Sequence, residues 1–156
     1  MTISKKLYAY YNRMSMLISD AHQGQKYGDK PYTHHLRDVE LKVNSLFYST
    51  GEEQILLSTA ALGHDLLEDT LTTANQLLEE GYDQRVVETI DLVTKKEGLS
   101  YKDYLRKLST HPLAWKVKVA DTYSNLLESI KDGDSKRVRK YAKQLELLYK
   151  YQNFQD

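Results

Sequence analysis

Cysteine is absent from the 156-residue chain. Disulfides, thiolate metal sites and cysteine nucleophiles are thereby excluded, so any metal has to be held by histidines and carboxylates. Proline occurs only at Pro31 and Pro112, and the seven glycines are scattered, so nothing reads as a linker or a low-complexity segment. No apolar run is long enough to span a bilayer. No apolar stretch follows Lys5 and Lys6 to form a signal peptide, so a cytoplasmic setting without membrane partners is expected. Net charge is missing too: 22 basic and 22 acidic residues cancel, leaving no global field to hold nucleic acid. Phe and Trp are scarce, at two and one, whereas Tyr is abundant at 13, which suits rings that pack while their hydroxyls reach water.

The chain has the length of one domain, and one domain over residues 1–156 is expected. Period-two strand patterns are essentially missing, while helical spacing recurs throughout. The expected fold class is all-α, a bundle of about eight helices. Ser4 could cap a first helix reaching Ala21, with Leu7, Tyr10, Tyr11, Met14, Leu17 and Ile18 on one face. A loop follows over Gln23–Tyr32. A second helix is expected over about His34–Tyr48 and a third over about Glu52–Glu68. The third holds the most apolar stretch, Ile55 to Leu67, and belongs at the centre of the bundle. Shorter helices are expected after Thr72 or Thr73, over Gln84–Thr94 and over Ser100–Leu108. Two longer ones are expected over Pro112–Ile130 and from Asp134 or Ser135 to Tyr151.

The charge that balances overall is uneven locally. Eight carboxylates and one Arg lie between His64 and Asp91, and seven basic residues against three acids between Lys131 and Lys150. The basic stretch reads as a solvated helix face. The acidic one contains the informative residues. His64 and Asp65 are adjacent within the most apolar helix, where a carboxylate costs several kcal/mol unless it is paired or bound to a metal. On a continuous helix Glu68 would sit beside His64 and Asp69 beside Asp65. The negative end of the helix dipole lies there too, and a divalent cation would relieve both penalties.

The segment Ala60-Ala61-Leu62-Gly63-His64-Asp65-Leu66-Leu67-Glu68-Asp69-Thr70 resembles the signature of the HD phosphohydrolases. Its His-Asp-x-x-Glu-Asp-Thr form resembles, more narrowly, the hydrolase domain of RelA/SpoT-type proteins and their single-domain alarmone hydrolases. Two further segments are similar to that family in the same order. These are Ala21-His22-Gln23-Gly24-Gln25 with Pro31-Tyr32-Thr33-His34-His35, and Val117-Lys118-Val119-Ala120-Asp121-Thr122-Tyr123-Ser124-Asn125-Leu126. The resemblance runs from Ala21 to Leu126. The chain departs from the family at Leu36, where a Pro is usual. It departs again in the loop after Gly24, which is short and has Tyr27 after Lys26 where adjacent basic residues are common.

The resemblance implies metal ligands at His35, His64, Asp65 and Asp121, with His35 preferred over His34 by register. Two imidazoles and two carboxylates suit one Mn²⁺, with Fe²⁺ or Mg²⁺ as alternatives. Glu68 and Asp69 are the implied catalytic pair, orienting or deprotonating water or passing a proton to the leaving oxygen. Asn125, one turn after Asp121, could touch phosphate or sugar. Lys26 and Lys30 are candidate phosphate contacts, and Tyr123 a candidate base or ribose contact. His22 reads as a structural histidine and His111 as a turn residue. The implied activity is metal-dependent hydrolysis of the 3′-pyrophosphate of the alarmone (p)ppGpp, giving GDP or GTP and pyrophosphate. The alternatives are an HD phosphohydrolase acting on another nucleotide and a non-catalytic nucleotide-binding module.

Overall fold

The computed structural model describes residues 2–154. In chain order the elements are α1 (Ile3–Ala21), β1 (Lys26–Tyr27), β2 (Lys30–Pro31), α2 (Thr33–Leu46), α3 (Gly51–Gly63) and α4 (Leu66–Asp69). Then follow α5 (Ala74–Glu79), α6 (Gln84–Val93), α7 (Tyr101–Leu108), α8 (Pro112–Lys131) and α9 (Ser135–Tyr151). The expectation of an all-α architecture therefore holds. The apolar segment lies at its centre: every residue from Leu56 to Gly63 is buried, and α3 packs against α1, α2, α6 and α8.

Local chemistry sets the helix ends. Thr2, not Ser4, caps α1 by accepting from the Lys5 amide. Thr73 and Gln76 cap α5 reciprocally. Asp83, Ser100 and Asp134 each accept from an amide in the first turn of the following helix. His111, expected only in a turn, also caps α8, ahead of Pro112. Helix α2 stops at Leu46, so Phe47 and Tyr48 fall outside it; Leu46 and Tyr48 are exposed.

Two corrections bear on the site. The loop after α1 contains an antiparallel hairpin, Lys26 opposite Pro31 and Tyr27 opposite Lys30. Gly28 takes the positive φ of 62° that its two-residue turn requires. The third helix is also not continuous to Glu68: it ends at Gly63, and a turn at His64–Asp65 separates it from α4. On an unbroken helix, neighbouring side chains diverge by roughly 100°. The turn lets both side chains reach the same point.

The floor of that turn is packed tightly. A Cβ on Gly63 would meet Ile90 Cδ1 at 2.8 Å and Met14 Sδ at 3.0 Å. Helix α9 is held on α8 partly by Trp115, whose indole N–H donates to the Leu148 carbonyl at 2.8 Å. Gly63→Val should cost about 1–3 kcal/mol in urea unfolding, the usual scale for overpacking a filled core. Gly63→Ala should cost less, because the atoms it meets are the ends of flexible side chains.

Candidate metal centre

Three separate elements deliver side chains to one buried point. His35 comes from the first turn of α2, His64 and Asp65 from the turn after α3, and Asp121 from the middle of α8. His35, His64 and Asp121 are 2%, 3% and 6% exposed, and one ligand atom from each lies within 4.8 Å of the others, an arrangement that could hold a metal ion. Asp65 joins them, with Oδ2 3.0 Å from His64 Nε2 and 3.9 Å from His35 Nε2. His34 stays outside, exposed, with Nε2 3.5 Å from Lys30 Nζ.

The hydrogen-bond network fixes both tautomers. His64 Nδ1 donates to the Ala61 carbonyl at 2.7 Å, so in the neutral ring Nε2 carries the lone pair. Ser124 has one hydroxyl hydrogen, and it goes to Asp38 at 2.6 Å. His35 Nδ1, 3.2 Å from that hydroxyl, must then be the donor, which in the neutral ring leaves the lone pair on Nε2. That nitrogen lies 3.1 Å from Asp121 Oδ1. His64 Nε2 is buried without a hydrogen-bond partner, although Asp65 Oδ2 is 3.0 Å away and Asp121 Oδ1 3.5 Å away. Two imidazole lone pairs thus face two carboxylates. Only a positive charge between them, a proton or a cation, makes that contact favourable. The same field is felt by His64: burial disfavours its charged form, yet the Asp65 and Asp121 carboxylates raise its pKa well above the ordinary value.

Asp121 is held from several sides. Burial would push its carboxyl up, but the Lys118 ammonium at 2.8 Å and the imidazoles hold it well below the usual range. Asn125 donates to the same carboxylate at 2.8 Å. The hairpin then closes over this face: the Tyr27 hydroxyl donates to Asn125 Oδ1 at 2.9 Å, and its ring stacks on His35 with centroids 4.5 Å apart.

The two expected catalytic acids lie on the short α4 and differ in what they touch. Glu68 Oε1 accepts from the Lys95 amide at 2.9 Å. Asp69 Oδ2 lies 3.2 Å from the Tyr32 hydroxyl, which also donates to Asp65 Oδ2 at 2.8 Å. Partial burial and the Asp65 carboxylate raise the Asp69 pKa. Both acids face a cavity of about 290 Å³ lined also by Lys95, Lys118, Lys140, Tyr101 and Tyr141.

Other expected contacts sit apart from that cavity. Lys26 and Lys30 are exposed on the hairpin and are not among its lining residues. Tyr123 is two residues from Asp121, roughly 200° around the helix, and packs against the core. Adjacency in sequence does not put two side chains on one face of a helix. Lys118 is signalled by its three-residue spacing to Asp121. Tyr27, Tyr32, Lys95 and Lys140 also touch or line the site. Nothing local distinguishes Lys140 from the other lysines of α9.

Lys118 is the half-buried counter-charge of this centre and offers a test that needs no substrate. Lys118→Met should lower stability in EDTA by roughly 2–3 kcal/mol, somewhat below the full cost of breaking a buried pair because the Lys118 side chain is 18% exposed. Saturating Mn²⁺ should recover part of that loss, since a ligand of the native state adds stability. Urea unfolding with and without Mn²⁺ measures both quantities.

No protein-family model matches the chain, and no curated protein matches it either. Among solved structures it is similar to that of a metazoan ortholog of SpoT, described as hydrolysing ppGpp and playing a role in starvation responses. The TM-score is 0.71 at 22% identity, over 90% of this chain and 85% of that one, and at this identity the likeness is one of fold.

Proposed function

We propose that the chain is a metal-dependent phosphohydrolase that removes the 3′-pyrophosphate of (p)ppGpp. The observation that carries this reading is the convergence of two imidazoles, the buried Asp121 carboxylate and the half-buried Asp65 carboxylate beside a lysine- and tyrosine-lined cavity. It is supported by a fold shared with a protein described as hydrolysing ppGpp. His35, His64, Asp65 and Asp121 would hold one divalent cation, Mn²⁺ by preference with Fe²⁺ or Mg²⁺ as alternatives, since mixed nitrogen and oxygen donors without sulfur suit these ions. The unpartnered His64 Nε2 and the two fixed tautomers fit such an ion. Bound there, it would polarise a phosphoryl oxygen and acidify water.

The chain's own residues would do the rest. Water adds to the phosphorus bonded to O3′, the P–O3′ bond breaks, O3′ takes a proton, and pyrophosphate leaves. Glu68, with one oxygen engaged by the Lys95 amide, keeps the other for the attacking water. Asp69 is placed to handle the proton bound for the leaving oxygen. Asn125, fixed by Tyr27 and Asp121, presents a neutral amide to phosphate or sugar. Lys95 and Lys140 within the cavity would meet phosphate charge, with Lys26 and Lys30 as outer contacts on the adjoining hairpin.

A second reading, the same chemistry on a different nucleotide, is favoured by the hairpin. Tyr27 folds inward onto His35 and Asn125 and presents no charge to a phosphate there.

A panel of nucleotides incubated with Mn²⁺, with an EDTA control, separates the two readings. ppGpp should yield GDP and pyrophosphate. Cleavage of another nucleotide alone would keep the hydrolase and remove the alarmone, and no metal-dependent cleavage would remove both. Elemental analysis should find metal retained by His34→Ala and lost from His35→Ala. Glu68→Gln should keep its metal and bind substrate while hydrolysis slows by roughly 10²-fold or more.

A further inference from the structure

The corner between α1 and α2 contains three side chains that no step above uses: His22, Gln25 and Tyr32. His22 is buried, and its Nδ1 donates to the Gln25 amide oxygen at 2.8 Å. Gln25 Nε2 donates to the Asp69 carbonyl at 2.9 Å. The His22 ring stacks on Tyr32 with centroids 5.0 Å apart and planes 23° from parallel, while Tyr27 and His35 meet Tyr32 edge-on. The Tyr32 amide donates to the Gln25 carbonyl at 3.0 Å. The ring therefore has little freedom, and its hydroxyl is aimed at one place.

That place lies between Asp65 and Asp69, at 2.8 and 3.2 Å. Asp69 needs such a hold. It is the last residue of a four-residue helix, and its carboxylate has no other hydrogen-bond or ion-pair partner among the described residues. Its main chain is pinned by Gln25 and its side chain by Tyr32, so both holds originate in the same corner.

Resting on the reading under Proposed function, we propose that Tyr32 is a positioning residue whose hydroxyl ties Asp69 to Asp65 and so sets the place of the proton-handling acid relative to the metal. The single hydroxyl hydrogen is shared, with its shorter contact to the proposed metal-binding carboxylate of Asp65 and its longer one to the cavity-facing carboxylate of Asp69. Residues that orient ligating groups in this way typically change metal affinity or activity by 10–100-fold when lost. His22 backs the ring, and Gln25 keeps α4 within reach.

Tyr32→Phe removes only the hydroxyl and leaves the ring packing, and Tyr32→Leu removes both. Mn²⁺ affinity is measured first, by titration without nucleotide. The Phe variant should bind roughly 10-fold more weakly than the unsubstituted protein, with a melting temperature close to it, and the Leu variant should melt lower. Turnover follows as a double-mutant cycle. Tyr32→Phe should lower kcat roughly 10-fold or more with KM nearly unchanged, and should cause almost no further loss in an Asp69→Asn background. Unchanged Mn²⁺ affinity in the Phe variant overturns the proposal. So does an equal loss of kcat in both backgrounds, which is what a merely structural tyrosine would give. If the unsubstituted protein binds Mn²⁺ but cleaves no nucleotide, the functional reading fails, and the Mn²⁺ titration alone still decides the role of Tyr32.

Discussion

Two carboxylates, Asp65 and Asp121, are brought into the middle of a helical bundle together with the lone pairs of two imidazoles, and most other features of the site answer that one cost. An ion removed from water loses several kcal/mol of hydration even after the protein relaxes. Lys118 compensates one charge directly. His35 and His64 cannot compensate the rest as neutral rings, because Ser124 and the Ala61 carbonyl hold both Nδ1 hydrogens away from the acids. The remaining imbalance is one that a cation at this centre would relieve.

The fold supplies the means. Helix α3 is buried nearly all round, so its end is fixed in three dimensions by α1, α2, α6 and α8 together. Gly63 lets that end sink against Met14 and Ile90, and the turn that follows directs His64 and Asp65 inward. The same turn starts α4, which carries Glu68 and Asp69 towards the cavity. A small backbone irregularity thus connects the innermost residues of the core to acids that face solvent.

Much of this was legible in the sequence. The helical spacing is strong, and most boundaries fall where a capping residue or Pro112 can be seen. A His-Asp pair inside an apolar helix is conspicuous for the same reason that it is costly. The break at His64–Asp65 was not legible, because the residues around it continue a helical pattern, and the tight packing at Gly63 appears only in three dimensions. Lys140 and Tyr141 read as part of a solvated basic stripe. They face the cavity only because Trp115 and neighbouring contacts fix the rotation of α9 on α8. Tyr32 stands in the Pro31-to-His35 motif, yet its hydroxyl gains meaning only once Asp65 and Asp69 stand on either side of it.

The ligand atoms are far apart along the chain: His35 and Asp121, 3.1 Å apart in space, are separated by 86 residues. Of the four proposed ligands, His64 and Asp65 alone are adjacent in sequence, and two donors on a flexible segment hold an ion poorly. Closing the loop to Asp121 has to precede tight capture. A cation at this centre would therefore not nucleate the fold; it would arrive late and act by slowing the escape of a chain already assembled. Loss of the ion would loosen the junction of α2, the α3–α4 turn and α8 before it disturbed the outer helices, so susceptibility to proteolysis in metal-depleted surroundings would begin from the centre outward.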